Sequence, residues 1–332
     1  MDAAHAHLQR TPGNAYIAPR WLPGGHAQTL YAALLAPRPH VAYRREQWET
    51  PDGDFIEVDW VNGPPDSPLL VLFHGLEGCS RSHYALSLMH HVQRRGWRGV
   101  IPHFRGCGGR PNRLARAYHS GDLHEVHWIL ERLAASSDHA PRFAAGVSLG
   151  GNALLKWLAA RGSEAATFVR AAAAVSAPMD LSAAGHELGR GFNMVYTKHF
   201  LSTLKRKGLE KLERFPGLYD ASRVRRARNL HEFDDVVTAP LHGFKDADDY
   251  WSRASSKPDL GRVALPTLLI NARNDPFMPG QYLPREEEVS ASIEAEFWSE
   301  GGHVGFVTGP FPGRLDWLPD RLLEFFERCR SM

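Results

Sequence analysis

Gly146-Val147-Ser148-Leu149-Gly150 decides how this chain is read. The pentapeptide is a glycine-x-serine-x-glycine pattern, preceded by the apolar run Phe143, Ala144, Ala145 and followed by a helix-forming run from Ala153 to Ala160. A serine held on a sharp strand-to-helix turn needs neighbours without a Cβ, so that strand and helix can approach closely. The bare pattern is weak, since the glycine and serine content of such a chain produces it by chance about 0.15 times. Its placement between a strand and a helix gives it weight, as do an acid and a histidine later in the chain.

Working outward, apolar and amphipathic segments alternate from Val41 to the end of the chain, apart from one interruption. This alternation predicts an α/β fold with a mostly parallel central sheet and helices on both faces. Val41–Glu49 and Phe55–Val61 flank the turn signal Thr50-Pro51-Asp52-Gly53 and read as an opening hairpin. Leu69–Phe73, Gly99–Phe104, Arg142–Val147, Val169–Ser176, Pro266–Ala272 and Ala295–Trp298 read as strands. Helices are expected over Ser82–Arg95, His119–Ser136 (with Ser120 or Asp122 as N-cap), Asn152–Ala160, after Pro279, and over Leu315–Arg328. The interruption, 179–257, has no clear strand and is helical, basic and rich in large side chains. The organisation expected is therefore an extension over 1–40, a core over 41–178 and 258–332, and a helical cap insert over 179–257. The cap's lysines and arginines read as a solvated helical face rather than an anion site.

Composition sets bounds. The 332 residues can bury a sizeable core, and 43% hydrophobic with 23% charged residues is ordinary for a globular protein. A formal net charge of +2 predicts no strong attraction to nucleic acid or anionic membranes. Cys79, Cys107 and Cys329 are odd in number and widely spaced, which fits a reducing compartment better than a disulfide framework. Met1 to Thr11 lacks the apolar core of a signal peptide. No apolar stretch approaches the ~18 residues of a membrane span, and a cytoplasmic location is expected. The sequence leaves the oligomeric state open.

A serine hydroxyl is a poor nucleophile at neutral pH and needs an adjacent base that a third group orients. Asp275 follows the strand Thr267–Ala272, in the sequence Arg273-Asn274-Asp275-Pro276, at an edge where parallel sheets gather reactive groups. His303 lies in the glycine-rich stretch Ser299-Glu300-Gly301-Gly302-His303-Val304-Gly305 just after the last strand. The order serine, acid, histidine is that of a Ser-Asp-His triad on a nucleophile elbow. Asp180, beyond the strand ending near Ser176, is the rival carboxylate. Negative charge developing on a carbonyl oxygen needs fixed N–H donors. Leu149, directly after the serine, is one candidate. Leu76, in the H-G-x-x-G loop His74-Gly75-Leu76-Glu77-Gly78, is the other. His74 reads as a brace for that loop, and Cys107 in Arg105-Gly106-Cys107-Gly108-Gly109 as part of a backbone-shaping loop rather than a reactive thiol. His124 and His127 stand three apart without a third clustered ligand, so no metal is expected.

Four stretches together, Phe73 to Gly78, Phe104 to Gly109, Pro111 to Gly121 and Gly146 to Asn152, resemble the YheT-like α/β-hydrolases, which are similar to the eukaryotic α/β-hydrolase-domain proteins one and three and to the yeast medium-chain ester synthases. His26-Ala27-Gln28-Thr29-Leu30 in the extension and Glu232 to Phe244 in the insert extend the likeness over nearly the whole chain. Where the family often has Asn before Phe-Arg-Gly, this chain has His103. The resemblance implies an α/β-hydrolase fold and a Ser148–Asp275–His303 triad acting on carboxylic esters, without a cofactor.

These readings converge on a serine hydrolase taking a small-molecule or lipid ester. An acyltransferase using the same acyl-enzyme, or a silent scaffold that binds a lipid or protein, are the rivals. Phe192 and Met194 in the insert are candidates for an apolar acyl pocket, beside Tyr196 and Phe200; the bland reading makes all four the insert's own core.

Overall fold

The apolar runs become strands of one eight-stranded sheet. The computed structural model describes residues 15–135 and 140–330. The Met1 to Thr11 stretch and Ser136, the expected end of a helix, lie outside the described residues. The strands are β1 (Arg44–Glu49), β2 (Phe55–Val61), β3 (Leu69–Phe73), β4 (Arg98–Pro102), β5 (Arg142–Val147), β6 (Ala171–Val175), β7 (Thr267–Ala272) and β8 (Ile293–Trp298), in the spatial order β1-β2-β4-β3-β5-β6-β7-β8. The β1–β2 hairpin and the β2–β4 pair are antiparallel; every other pairing is parallel. Gly53, at φ 82°, closes the hairpin by donating its N–H to Thr50 O at 3.0 Å.

Strands β3, β6 and β7 are buried along their whole length, as expected of parallel strands covered on both faces. Strand β6 shows how. Ala172 and Ala174 face one core cluster with Leu154, Trp157 and Leu158, while Ala171, Ala173 and Val175 face a second cluster with Leu322 and Phe326. Alanine suits this central position because helices press on the sheet from both sides.

Those helices are α2 (His83–Arg94), α3 (Leu123–Ala134), α4 (Leu149–Arg161) and, at the C-terminal end, α11 (Trp317–Arg330), while α1 (Gly25–Leu34), in the N-terminal extension, lies off the sheet. Between β6 and β7 come α5 (Leu181–Leu188), α6 (Met194–Arg214), α7 (Ala221–Arg226), α8 (Leu230–Phe233), α9 (Ala239–His242) and α10 (Ala247–Ala254), with no strand among them. Part of this segment has its own small core, Leu201, Val224, Phe233, Val236 and Val237. No helix among the described residues is long and apolar enough to cross a membrane.

Three expectations are corrected. Helix α3 begins at Leu123 rather than His119, because Asp122 caps it by accepting from Glu125 N at 3.2 Å. The preceding turn is instead tied down by Tyr250, whose hydroxyl accepts from Ser120 N at 2.9 Å. After Pro279 there is no α-helix, only two short 3₁₀ turns, Gly280–Tyr282 and Glu286–Glu288. Pro284 would deny a helix its backbone donor, and the run Glu286-Glu287-Glu288 places like charges side by side. Finally, the cations of α6 are not all solvated. Lys211 Nζ bonds Asn112 Oδ1, Leu114 O and Arg116 O at 2.9–3.2 Å, and Arg214 bonds Asn112 O and Arg113 O at 2.7 and 2.9 Å. Burial holds Lys211 down to about 8. These side chains fasten the helical segment to the loop that follows β4.

Helix α4 lies against the sheet through glycine. A Cβ on Gly150 would stand 2.4 Å from Phe73 O and 2.5 Å from His74 O, both rigid backbone. Gly150→Ala is therefore expected to cost about 3 kcal/mol or more, as overpacking against backbone. Gly261→Ala, where an added Cβ meets nothing within 4 Å, should leave stability unchanged. Urea unfolding of both variants checks this: equal midpoints would mean that the close approach does not govern the packing of α4.

Candidate active site

Strand β5 runs directly into α4 through one residue. Ser148 sits at φ 53°, ψ −123°, in the region L-residues rarely adopt. Its N–H donates to Val175 O at 2.8 Å, pinning the turn to the neighbouring strand. A Cβ on Gly146 would lie 2.5 Å from Gly150 O, so the two glycines of the pentapeptide face each other across the turn. The strain is thus over-determined by its surroundings, and the serine hydroxyl is held out from the sheet edge at the positive end of a helix.

Asp275 and His303 come to the same edge from β7 and β8. Asp275 is fully buried; its Oδ1 accepts from Phe277 N at 2.8 Å and its Oδ2 from His303 Nδ1 at 2.9 Å. The other ring nitrogen, Nε2, accepts from Ser148 Oγ at 3.0 Å. A carboxylate on Nδ1 fixes the tautomer that leaves Nε2 as the acceptor. Phe277 stacks on the imidazole at 4.0 Å between ring centres and limits its tilt. Val304 is held at φ 56°; its N–H donates to Ser176 Oγ at 3.1 Å and its carbonyl accepts from His83 Nε2 at 2.9 Å. Burial lowers His83 to about 4, so it serves here as a neutral donor. Asp180 stands elsewhere, accepting from Ala183 N at 2.9 Å as the N-cap of α5.

The loop after β3 presses on Ser148: a Cβ on Gly75 would stand 3.1 Å from Ser148 Cβ. Gly75 N donates to Tyr84 Oη and Glu77 N to Tyr118 Oη, both at 2.9 Å. Burial drives the Tyr84 hydroxyl to about 12 and Tyr118 well above its ordinary value, so both remain neutral phenols. Glu77 takes φ 54°. Among the described residues the N–H groups of Leu76 and Leu149 donate to no protein acceptor, while those of Gly75 and Glu77 are committed. His74 braces this loop, as its position in the sequence predicts. Its Nδ1–H donates to Gly75 O at 2.8 Å, and its Nε2 accepts from Phe104 N at 3.0 Å. Burial keeps it neutral, near 3. The Cys107 thiol is pushed up to about 12 by burial, which makes it a poor nucleophile. His103, in place of the family's Asn, bonds Asp59 Oδ2 through Nε2 at 2.9 Å. His127 accepts from Trp157 Nε1 at 3.4 Å, and no group of three possible metal ligands occurs among the described residues.

Ser148, His303, Leu76 and Leu149 open on a cavity of about 630 Å³. Its apolar lining comes largely from the helical segment, including Leu181, Leu188, Phe200, Leu204, Phe233 and Val237. Phe192 and Met194 are not part of it, which corrects the sequence expectation. Phe192 is half exposed and packs edge-on against His26 at 4.7 Å. Met194 opens α6 about 120° around the helix from Phe200, away from the face carrying Phe200, Leu204 and Lys207. Sequence reasoning missed Phe277, Tyr84 and Tyr118, whose aromatic character gave no sign of where they would point.

A family model described as alpha/beta hydrolase fold matches residues 68–310. YheT of Escherichia coli (strain K12), an esterase by name, is 40% identical over 315 residues, covering 93% of this chain and 92% of its own. Human Phospholipase ABHD3 is 30% identical over 321 residues, covering 94% of this chain and 78% of its own. Among solved structures, the Pyrococcus furiosus esterase PF2001 superposes with a TM-score of 0.56 at 15% identity, over 89% of this chain and 98% of that one. The chain belongs to the α/β-hydrolase family, as one of its YheT-like members.

Proposed function

We propose that the protein is a serine esterase for acyl esters, with Ser148 as nucleophile, His303 as base and Asp275 as its orienting acid. The hydrogen-bond chain Asp275–His303–Ser148, opening into an apolar cavity, carries this reading. Ser148 Oγ attacks the ester carbonyl while His303 Nε2 takes its proton. The oxyanion lies against the N–H groups of Leu76 and Leu149, each such donor contributing about 3 kcal/mol to the transition state. His303 returns the proton to the departing alcohol, and water resolves the acyl-enzyme by the same steps.

Residues 179–257 serve as a cap, and the acyl chain lies against its Leu188, Phe200, Leu204 and Val237. Each methylene buried there contributes about 0.8 kcal/mol. The names of two relatives, human Phospholipase ABHD3 and the Monoacylglycerol lipase of Saccharomyces cerevisiae (25% identical over 293 residues), support a lipid-like ester.

A fluorophosphonate probe should label the wild-type protein and leave Ser148→Ala unlabelled; equal labelling of the two would sink the nucleophile. Asp275→Asn should lower turnover about 10⁴-fold, read with any p-nitrophenyl ester the wild type cleaves. Across p-nitrophenyl esters of increasing chain length, kcat/KM should rise and then fall once the cavity is full. Leu204→Trp should move the optimum to shorter chains. A flat profile, unmoved by Leu204→Trp, would rule out the cap as the acyl site.

A further inference from the structure

We infer that Gln28 and Thr29, on helix α1 of the N-terminal extension, are positioning residues that set the loop of His303 in register with the loop of Asp275. The inference rests on the triad proposed for this site. It starts from three consecutive backbone donors. The N–H groups of Gly301, Gly302 and His303 are each taken by a side chain from outside their own loop: Gln28 Oε1 at 2.8 Å, Asn274 Oδ1 at 2.9 Å and Thr29 Oγ1 at 2.8 Å. Two of the caps are joined to each other, and the third is anchored on its own helix. Asn274, the residue before Asp275, donates from Nδ2 to Gln28 Oε1 at 3.0 Å. Thr29 donates its hydroxyl back to Gly25 O at 2.7 Å.

Gln28 is completely buried, and its four polar contacts agree on one orientation of its amide. Nε2 donates to Leu22 O at 3.1 Å and Glu300 Oε1 at 3.3 Å, while Oε1 accepts from Asn274 and Gly301. Rotating the amide would set NH₂ groups against both of those donors. The backbones are packed as closely. A Cβ on Gly25 would stand 1.9 Å from Asn274 O, one on Gly302 2.6 Å from Gly25 O, and one on Gly305 2.7 Å from Gln28 O. Helix α1 is therefore wedged between the two loops and touches both; none of its residues lines the cavity, and it meets the lining only where Leu30 packs with Leu188 and Phe277.

This placement has a consequence for the chemistry. His303 must meet Asp275 through one nitrogen and Ser148 through the other, and among the described residues its backbone N–H is held by Thr29. Asp275 is fixed by its own Oδ1 bond to Phe277 N, but what keeps its loop at a constant distance from the histidine loop is the Gln28–Asn274–Gly302 linkage. Removing a cap frees a loop to shift by a fraction of an ångström without emptying the core, and a misplacement of that order lowers turnover rather than substrate binding.

The test uses the full chain and a chromogenic ester that the wild type cleaves. Active sites are titrated with a fluorophosphonate, so that kcat is expressed per labelled Ser148. Thr29→Val keeps the shape and removes the acceptor; Thr29→Ser restores it; Gln28→Met and Asn274→Ala remove the other two caps. Thr29→Val, Gln28→Met and Asn274→Ala are expected to lower kcat about 10- to 100-fold with KM changed less than about 2-fold, and Thr29→Ser to keep the wild-type kcat. A purely structural role would lower the melting temperature and the titratable fraction and leave kcat per site alone; that result overturns the inference. A kcat loss that Thr29→Ser shares with Thr29→Val overturns it equally. Should Thr29→Val not fold, Asn274→Ala, at a partly exposed position outside α1, decides by the same readout. Labelling that survives Ser148→Ala would overturn the triad reading beneath it; labelling lost in Ser148→Ala with kcat unchanged in the cap variants would overturn the positioning role alone.

Discussion

The structure depends on how closely the start of helix α4 can approach the sheet. With Gly150 over the carbonyls of Phe73 and His74, and Gly146 over Gly150 itself, no Cβ fits. That contact leaves the chain no room to leave β5 gently, so Ser148 takes the left-handed conformation between strand and helix. The loop after β3 is drawn to the same point by Gly75, which lies against Ser148. Ser148 and the candidate oxyanion donors are thus placed by one steric constraint rather than by separate interactions, and the strain at Ser148 is the local expression of that packing.

Around this point the protein uses buried groups that stay neutral. His74, His83, Tyr84 and Tyr118 are kept uncharged by burial, and each bonds backbone atoms of the loops beside Ser148 and His303, Tyr118 also donating to the Glu77 carboxylate. Neutral braces do not compete with Asp275 for the imidazole. The charges are gathered one layer out. Arg105, almost wholly buried, meets Asp52, Asp54 and Glu125 at 2.6–3.0 Å, and the same Asp54 accepts from Asn112 and from the N–H of Arg113. Such a network returns little net stability for the desolvation it requires. What it fixes is the shape of the 105–118 loop, which Lys211 and Arg214 of α6 then grip through Asn112 and main-chain carbonyls, while Lys207 pairs with Glu77 of the loop after β3. The helical segment is anchored over the serine by polar contacts at its far end and by apolar packing near the cavity.

What could be read from the sequence divides along physical lines. Parallel strands are continuous apolar runs, and the elbow, acid and histidine each follow one, so their place at one sheet edge was legible from chain order. His74 was legible as a brace because it stands between a strand and a glycine. Surface and pocket faces of α6 were not: Met194, Phe200 and Leu204 are alike in character, and only the rotation of the helix against the core sends Phe200 and Leu204 to the cavity and Met194 away from it, while Phe192 lies in the turn Gly191–Asn193 before the helix. The basic residues of α6 misled for a related reason. A lysine that caps three carbonyls looks, in sequence, like one that faces water.

The contribution of the extension was the least legible, and the reason is sequence distance. Gln28 and Thr29 stand between Ala27 and Leu30 as an ordinary polar pair, and the groups they cap lie more than 240 residues away. Nothing local marks a glutamine as the acceptor for two loops of a sheet edge. A sheet of this topology delivers the loops of Ser148, Asp275 and His303 from separate crossovers, after β5, β7 and β8, each able to settle independently. Backbone donors left open on such loops need acceptors from a common element if the loops are to keep one spacing. Helix α1 is that element. It lines no part of the cavity and adds little to the main core, yet its paired side chains touch both the Asp275 loop and the His303 loop, which ties the spacing of those two residues to a segment that precedes the first strand.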